Sequence, residues 1–508
     1  MTSVPPARDR LWLAALSALC LVLLAPLLVV DMPPLVDYPN HLARILVLAS
    51  LPDDPAMARF YAAQWAIIPN LALDLAGPPL LRVLPVHDAG RVLIGVAILL
   101  PAVGAIAYGT MLGGRWWPLG VALVAYNRTL LEGFLNFNLS VGLALLLAAA
   151  WLRWRRHAVI TTALVAVGAV ALFACHLMGL VLFAILLGAQ ESVRLLRLPL
   201  TCRTLLPAAA RLLAIFTVPV LLYGLSPLHG MGGEPVYLDL GGKVAQLTAA
   251  FTNYVDTLDV VTACAVLAVP LTALILGRGR LAPPVALAMS VLLAGYLMAP
   301  YAWKGTQQID TRFAIMLGFL LFAGFVPLRW PRWCGIAAAA VLSGLLLFRT
   351  SVVATAWTQH RDDLADIRAA LAPVHPGQAV FVAMARPDDP AAYQRAGPWS
   401  RRLSGGIVTP THLGALTLIE HRAWWPFAFD NPEQQPIRTL DPYRGMALRI
   451  GDLPDQDGLA RADLCGFDVV LLLQADGTRL LPDPRLLPLA GQGFARSYAV
   501  RDCHAAEP

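Results

Sequence analysis

Lysine is almost absent from this sequence. Two stand against 36 arginines, and Asp, Glu, Lys and Arg together make up only 14% of the 508 residues. With 58% hydrophobic residues and a mean hydropathy of +0.65, the chain carries more apolar surface than a soluble fold of this length buries. That excludes an ordinary soluble enzyme. The net charge of +6 and pI near 9.0 do not indicate a nucleic-acid binder, because the arginines are scattered between apolar runs and form no aromatic-laced basic patch. No CxxC, HExxH or His-rich spacing points to a metal, and no GxGxxG or Walker loop points to a nucleotide. Internal repeats and low-complexity linkers are not evident.

What is present is a series of apolar runs. A spanning helix needs roughly 20 mostly apolar residues, which predicts about eleven spans: 11–30, 91–112, 116–128, 137–154, 159–176, 178–193, 207–225, 259–277, 281–300, 313–328 and 333–350. The third is short. With the N-terminus inside, every strongly basic short loop falls on the cytoplasmic side, including Arg115, "RWRRH" at 153–157, "RGR" at 278–280 and "LRWPRW" at 328–333. Residues 31–90, 129–136, 226–258, 301–312 and everything after 350 then lie outside. The segment 31–90 holds six Asp and no Lys, as a translocated segment should. The first run is longer than a signal-peptide core and no A-x-A site precedes "DMPP", so it reads as a retained span.

Composition shifts near residue 351. "HRDDLADIRAALAPV" has the apolar spacing of an amphipathic helix, and "QAVFVAMA" and "FDVVLLLQA" are β-branched runs bounded by polar and turn residues. The expected fold is therefore an all-α polytopic membrane domain over 1–350, with 31–90 as its first outer loop, followed by a soluble C-terminal α/β domain over 351–508. Only Cys465 and Cys503 lie in that tail, which makes them candidates for a disulfide, two free buried thiols being the alternative.

Ionisable groups beside the hydrocarbon are costly and mark function by default. Asp37, His41, Asn127, Arg128, Glu132, Asn136, Asn138, His176, Lys304, Asp310 and Arg312 all fall at outer span ends or in outer loops. In "DMPPLVDYPNHLAR", Asp37 precedes Pro39, so a helix beginning near 38–39 would take Asp37 as its cap and carry His41 and Arg44 on its face. The alternative is a plain cap with surface charges.

Four stretches, "VDYPNHLAR", "IPNLALDL" at 68–75, "GFLNFNLS" at 133–140 and "IDTRFAIMLGFLLF" at 309–322, give the chain a resemblance to the GT-C class of membrane glycosyltransferases. The likeness is architectural over most of the chain. It implies an inverting transfer at the outer face of a bacterial cytoplasmic membrane, from a polyprenyl-phosphate sugar to a glycan, lipid or protein acceptor, with the C-terminal domain periplasmic or extracellular. Asp37 would be the general base, with His41 beside it and Asp31 in reserve. Cations would stabilise the departing lipid phosphate. The two Asp stand six apart, unlike the adjacent acidic pair of some members, so no metal or other cofactor is expected.

Lys304 and Arg312 flank the mouth of a late span and suit a phosphate, or simply anchor it at the interface. Asn70 and Asp74 are spaced i, i+4 for one helical face, suiting a sugar contact or a surface pair. His176 in "FACHLMGL" and Asn136 in "GFLNFN" are further substrate-binding candidates, as is Arg44, against ordinary helix-end packing. "RAWWPFAFDNP" in the tail suits lipid headgroups, an acceptor, or the domain's own core. A transporter or lipid flippase is the first rival reading, but it would pair Gly/Pro-broken spans in matching halves, which are not evident. A non-catalytic assembly or sensor protein would need few spans and no polar cluster at one face.

Overall fold

The computed structural model describes residues 7–479 and 483–501. The chain divides into two compact units: residues to Leu28 with Ala66–Ala72 and Leu93–Val353, and Val29–Trp65 with Leu73–Val92 and Ala354 onward. The first outer segment therefore falls largely in the second unit, while residues 66–72 belong to the first.

The first unit is helical because an apolar run in hydrocarbon must satisfy its backbone internally. Among the described residues, eight helices are long and apolar enough to cross a membrane: Asp9–Leu28, Val86–Met111, Leu135–Trp154, Ala158–Cys175, Leu177–Leu195, Cys202–Leu225, Asp256–Ile275 and Arg332–Leu371. Pro283–Met298 and Ile309–Gly324 have 16 residues each, about 24 Å at 1.5 Å per residue. The expected span at 116–128 is not an α-helix. It is a 3-10 stretch, Trp117–Val124, whose steeper rise of about 2 Å per residue covers about 16 Å in eight residues. It still runs the course of the first helix: the Trp12 indole donates to the Arg115 carbonyl, and the Tyr126 hydroxyl donates to the Leu23 carbonyl.

Small residues let these helices approach closely. A Cβ on Gly142 would lie 2.5 Å from the backbone of Leu100, and one on Gly104 would lie 2.6 Å from the Gly142 carbonyl. Polar contacts also join these helices: Arg211 lies 4.0 Å over the Trp151 ring, Glu191 accepts from Trp151 and Arg194, and Gln190 donates to Tyr108.

The second unit contains a four-stranded mixed sheet. Val380–Met384 runs parallel to Val469–Leu473, which is antiparallel to Ala495–Val500, itself antiparallel to Leu486–Ala490. The two β-branched runs read from the sequence supply the first two strands, both buried along most of their length. The amphipathic stretch after 360 is not a separate helix but the end of the continuous Arg332–Leu371 helix, and it buries Leu364, Ile367 and Leu371. Part of the first outer segment joins this unit through Tyr61–Ala63, antiparallel to Ile437–Thr439. Cys465 is disulfide-bonded, and Cys20, Cys175, Cys202, Cys264 and Cys334 are free thiols. Cys503, its expected partner, lies outside the described residues.

Candidate functional site

In the second unit the helix Tyr38–Ser50 starts where Pro39 predicts, with Asp37 at the cap position. The Asp37 side chain, however, makes no cap hydrogen bond. Its Oδ1 instead lies 3.4 Å from Nε2 of His412, both side chains about one-fifth exposed. One turn on, Asn40 is buried and its amide is engaged at both ends: Nδ2 donates to the Phe427 carbonyl at 2.7 Å, and Oδ1 accepts from the Phe429 N–H at 2.8 Å. Nδ2 also lies 3.4 Å from Nδ1 of His412. The rings of His41 and Phe429, and of His412 and Phe429, meet edge to face.

His41 is fully buried, and its Nδ1 makes no hydrogen bond. Burial first, then the positive charge of Arg44 and the influence of His412, push its imidazole well below its ordinary value, so it stays neutral. Arg44 and Asp74, both expected to contact substrate, are spent on each other. Arg44 Nε and Nη2 bond the Asp74 carboxylate at 2.6 and 2.9 Å, and neither side chain is exposed. Asp31 is held by Arg368 Nη2 at 2.7 Å and by the Met32 N–H at 2.9 Å. Burial raises its carboxyl, but the hydrogen bond and charge of Arg368 outweigh that and hold it low. Arg368 also grips Glu420, whose carboxylate accepts from His87 Nε2 at 2.8 Å. Burial opposes ionisation there too, yet His87 and Arg368 bring Glu420 down to about 2.

The remaining candidates lie in the first unit. Asn70 and Asp74 do not share a helical face, because the helix begins at Ala72 and Asn70 precedes it with a left-handed φ of 76°. Asn70 meets Asn136 instead, whose amide donates to the Asn70 carbonyl at 2.7 Å and to its Oδ1 at 2.9 Å. His176 caps the Leu177–Leu195 helix, its Nδ1 accepting from the Met178 N–H, and its ring lies edge-on to Phe137. Arg312 lies over the rings of Phe134 and Phe137, at 5.1 and 5.8 Å. Lys304 donates to the His229 carbonyl at 2.8 Å and sits over Trp303. Nearby, Arg128 pairs with Glu132 at 2.7 Å and bonds Gln246, Gln308 donates to Glu132, and Lys243 bonds Asp310 at 2.8 Å. Among the described residues no group of three His, Cys, Asp or Glu side chains could hold a metal ion.

Sequence reasoning missed His412, Asn40, Arg368 and Glu420. His412 sits in "PTHLGAL", some 370 residues from Asp37, with no local pattern to link them. The aromatic stretch after it is partly core: Trp424 and Trp425 are buried, while Phe427 and Phe429 keep partial exposure.

Neither a protein-family model nor a curated protein sequence matches the chain. Among solved structures, it is similar to the crystal structure of ArnT from Cupriavidus metallidurans bound to undecaprenyl phosphate. The likeness covers 99% of this chain and 100% of that one, with a TM-score of 0.51 and 11% identity. The fold is ArnT-like. At 11% identity the likeness is one of backbone architecture.

Proposed function

We propose that this chain is a GT-C membrane glycosyltransferase that moves a sugar from a polyprenyl-phosphate donor to an acceptor hydroxyl, with Asp37 as general base. The observation that carries the reading is that Asp37, though at a helix start, spends its carboxylate on no capping bond and, among the described residues, pairs with an imidazole. A carboxylate so held can take the acceptor's proton as the hydroxyl oxygen attacks the anomeric carbon. The new carbon–oxygen bond forms as the bond to phosphate breaks, the lipid phosphate leaves with the electron pair, and the anomeric configuration inverts. Asp31, tied to Arg368, suits that role less well. In the first unit, Arg312 and Lys304 keep the expected assignment of a phosphate contact, and the paired amides of Asn70 and Asn136 that of a sugar contact. The ArnT structure was solved with undecaprenyl phosphate bound, which supports a polyprenyl-phosphate donor here. The reaction would lie at the outer face of the bacterial cytoplasmic membrane, with the N-terminus cytoplasmic.

Glycan and lipid profiling of a deletion strain tests this reading. Loss of one glycan with build-up of a polyprenyl-phosphate sugar is expected, reversed by the wild-type gene. Asp37→Asn preserves shape but removes the proton acceptor, so transfer should fall about 10²–10⁴-fold, whereas Asp31→Asn should retain most of it. Full complementation by the Asp37→Asn protein would exclude this residue as the base.

A further inference from the structure

We propose that His412 is a positioning residue for the Asp37 carboxylate, locked by Asn40 in the neutral tautomer that carries its proton on Nε2. This deepens the proposed reaction and rests on Asp37 being its base. The direction of the Asn40 amide sets the tautomer, and the backbone sets that direction. Its oxygen faces the Phe429 N–H at 2.8 Å and its nitrogen faces the Phe427 carbonyl at 2.7 Å, so a flipped amide would set donor against donor and acceptor against acceptor. The amide nitrogen's second hydrogen is then available to Nδ1 of His412 at 3.4 Å, and that ring nitrogen must accept. The ring proton is left on Nε2, facing Asp37 Oδ1 at 3.4 Å.

Two consequences follow. With Nδ1 accepting from the Asn40 amide, the group that faces Asp37 is the Nε2–H. A charged imidazolium would bind the carboxylate more tightly and make it a poorer base. The ring instead sits against Oδ1 and leaves Oδ2 for the incoming proton. The 3.4 Å contact between Asn40 and His412 is a long hydrogen bond, and the approach of His412 to Asp37 at the same distance is a close contact rather than a hydrogen bond. His41, whose imidazole feels both His412 and Arg44, and Arg44 itself lie on the same helix as Asn40. Asp74 neutralises Arg44.

The test combines complementation with a spectroscopic readout. His412→Phe keeps a ring of similar size and the packing on Phe429 but loses the N–H, while His412→Gln keeps an amide donor near the Nε2 position. In the deletion strain, His412→Phe should lower glycan formation at least about tenfold, and His412→Gln should restore most of it. In ¹⁵N-histidine-labelled, detergent-solubilised full-length protein at neutral pH, the resonance missing from His412→Gln should show the Nε2–H pattern, and Asn40→Leu should release it to a tautomer mixture. An Nδ1–H or imidazolium signal for His412 in the wild type would overturn the proposal. So would full activity of His412→Phe beside an inactive Asp37→Asn, an outcome that leaves the base assignment standing. Full activity of Asp37→Asn would instead remove the base assignment and this inference together. If His412→Phe does not accumulate in membranes, the wild-type and Asn40→Leu spectra decide the question alone.

Discussion

The Arg44–Asp74 pair yields the sharpest stability prediction, because the two residues expected to touch substrate are buried on each other. The bond is bidentate, and both side chains are fully withdrawn from solvent. It ties the helix Tyr38–Ser50 to the helix Ala72–Leu81, at a contact where a Cβ on Gly77 would already lie 2.4 Å from Ile45. Removing one partner strands the other's charge out of water, which costs about 3–5 kcal/mol in pairs of this kind. Spread over a unit of roughly 200 residues, that is a fall on the order of 10 °C in the unfolding midpoint. Replacing both partners with apolar residues of similar volume strands nothing and is often neutral or stabilising. The expected series is therefore Arg44→Met and Asp74→Leu each strongly destabilised, with Arg44→Met/Asp74→Leu near the wild type. Temperature-dependent proteolysis of the solubilised protein reads this directly. If both single variants unfold with the wild-type midpoint yet fail to complement, the strut reading is wrong and these residues serve substrate.

Three further predictions concern other parts of the chain. Glu420 is lowered in the folded state from 4.5 to about 2, so its stabilising contribution is full above about pH 4.5 and disappears as pH falls towards 2; protease resistance of the second unit should drop across that window, and Glu420→Gln should be weaker at neutral pH and flatter with acid. Gly142→Ala would put a methyl against the backbone of Leu100, which cannot move aside as a side chain can, so membrane accumulation should fall sharply, whereas Gly188→Ala, with nothing within 4 Å, should not change it. Reporter fusions after residue 360 should signal from the outer side of the membrane; a cytoplasmic signal would invert the proposed sidedness and remove an outward-facing reaction.

The parts of this molecule legible in the sequence are those specified locally. Apolar length gave the long helices, Pro39 gave the start of the Tyr38–Ser50 helix, and β-branched runs gave the two central strands. The run at 116–128 was expected to be an α-helical span because it is apolar, but a 3-10 stretch of eight residues, Trp117–Val124, forms there instead. The Asn70–Asp74 face failed for a related reason: i, i+4 spacing means adjacency only inside a helix, and Asn70 lies before one with a positive φ. His412 and Glu420 were out of reach, since their partners Asp37 and His87 lie hundreds of residues away.

Reading every ionisable residue near the lipid as functional overcounts, and partner charge separates the cases. Arg349 bonds Asp259 at 2.9 Å, Lys243 bonds Asp310 at 2.8 Å and Arg44 bonds Asp74 at 2.6 Å. In each, opposite charges cancel, and the pair does what a buried pair can do: fix register between two segments at little net gain in stability. Asp31 and Glu420 share Arg368 and are held as carboxylates in the same way. A carboxylate used in this manner is a weak proton acceptor, because taking the proton would forfeit the pair. Asp37 differs, for its contact is an imidazole whose other nitrogen faces a neutral amide. Taking a proton there would break no pair with an arginine or lysine, which is what the proposed general-base role asks of a carboxylate.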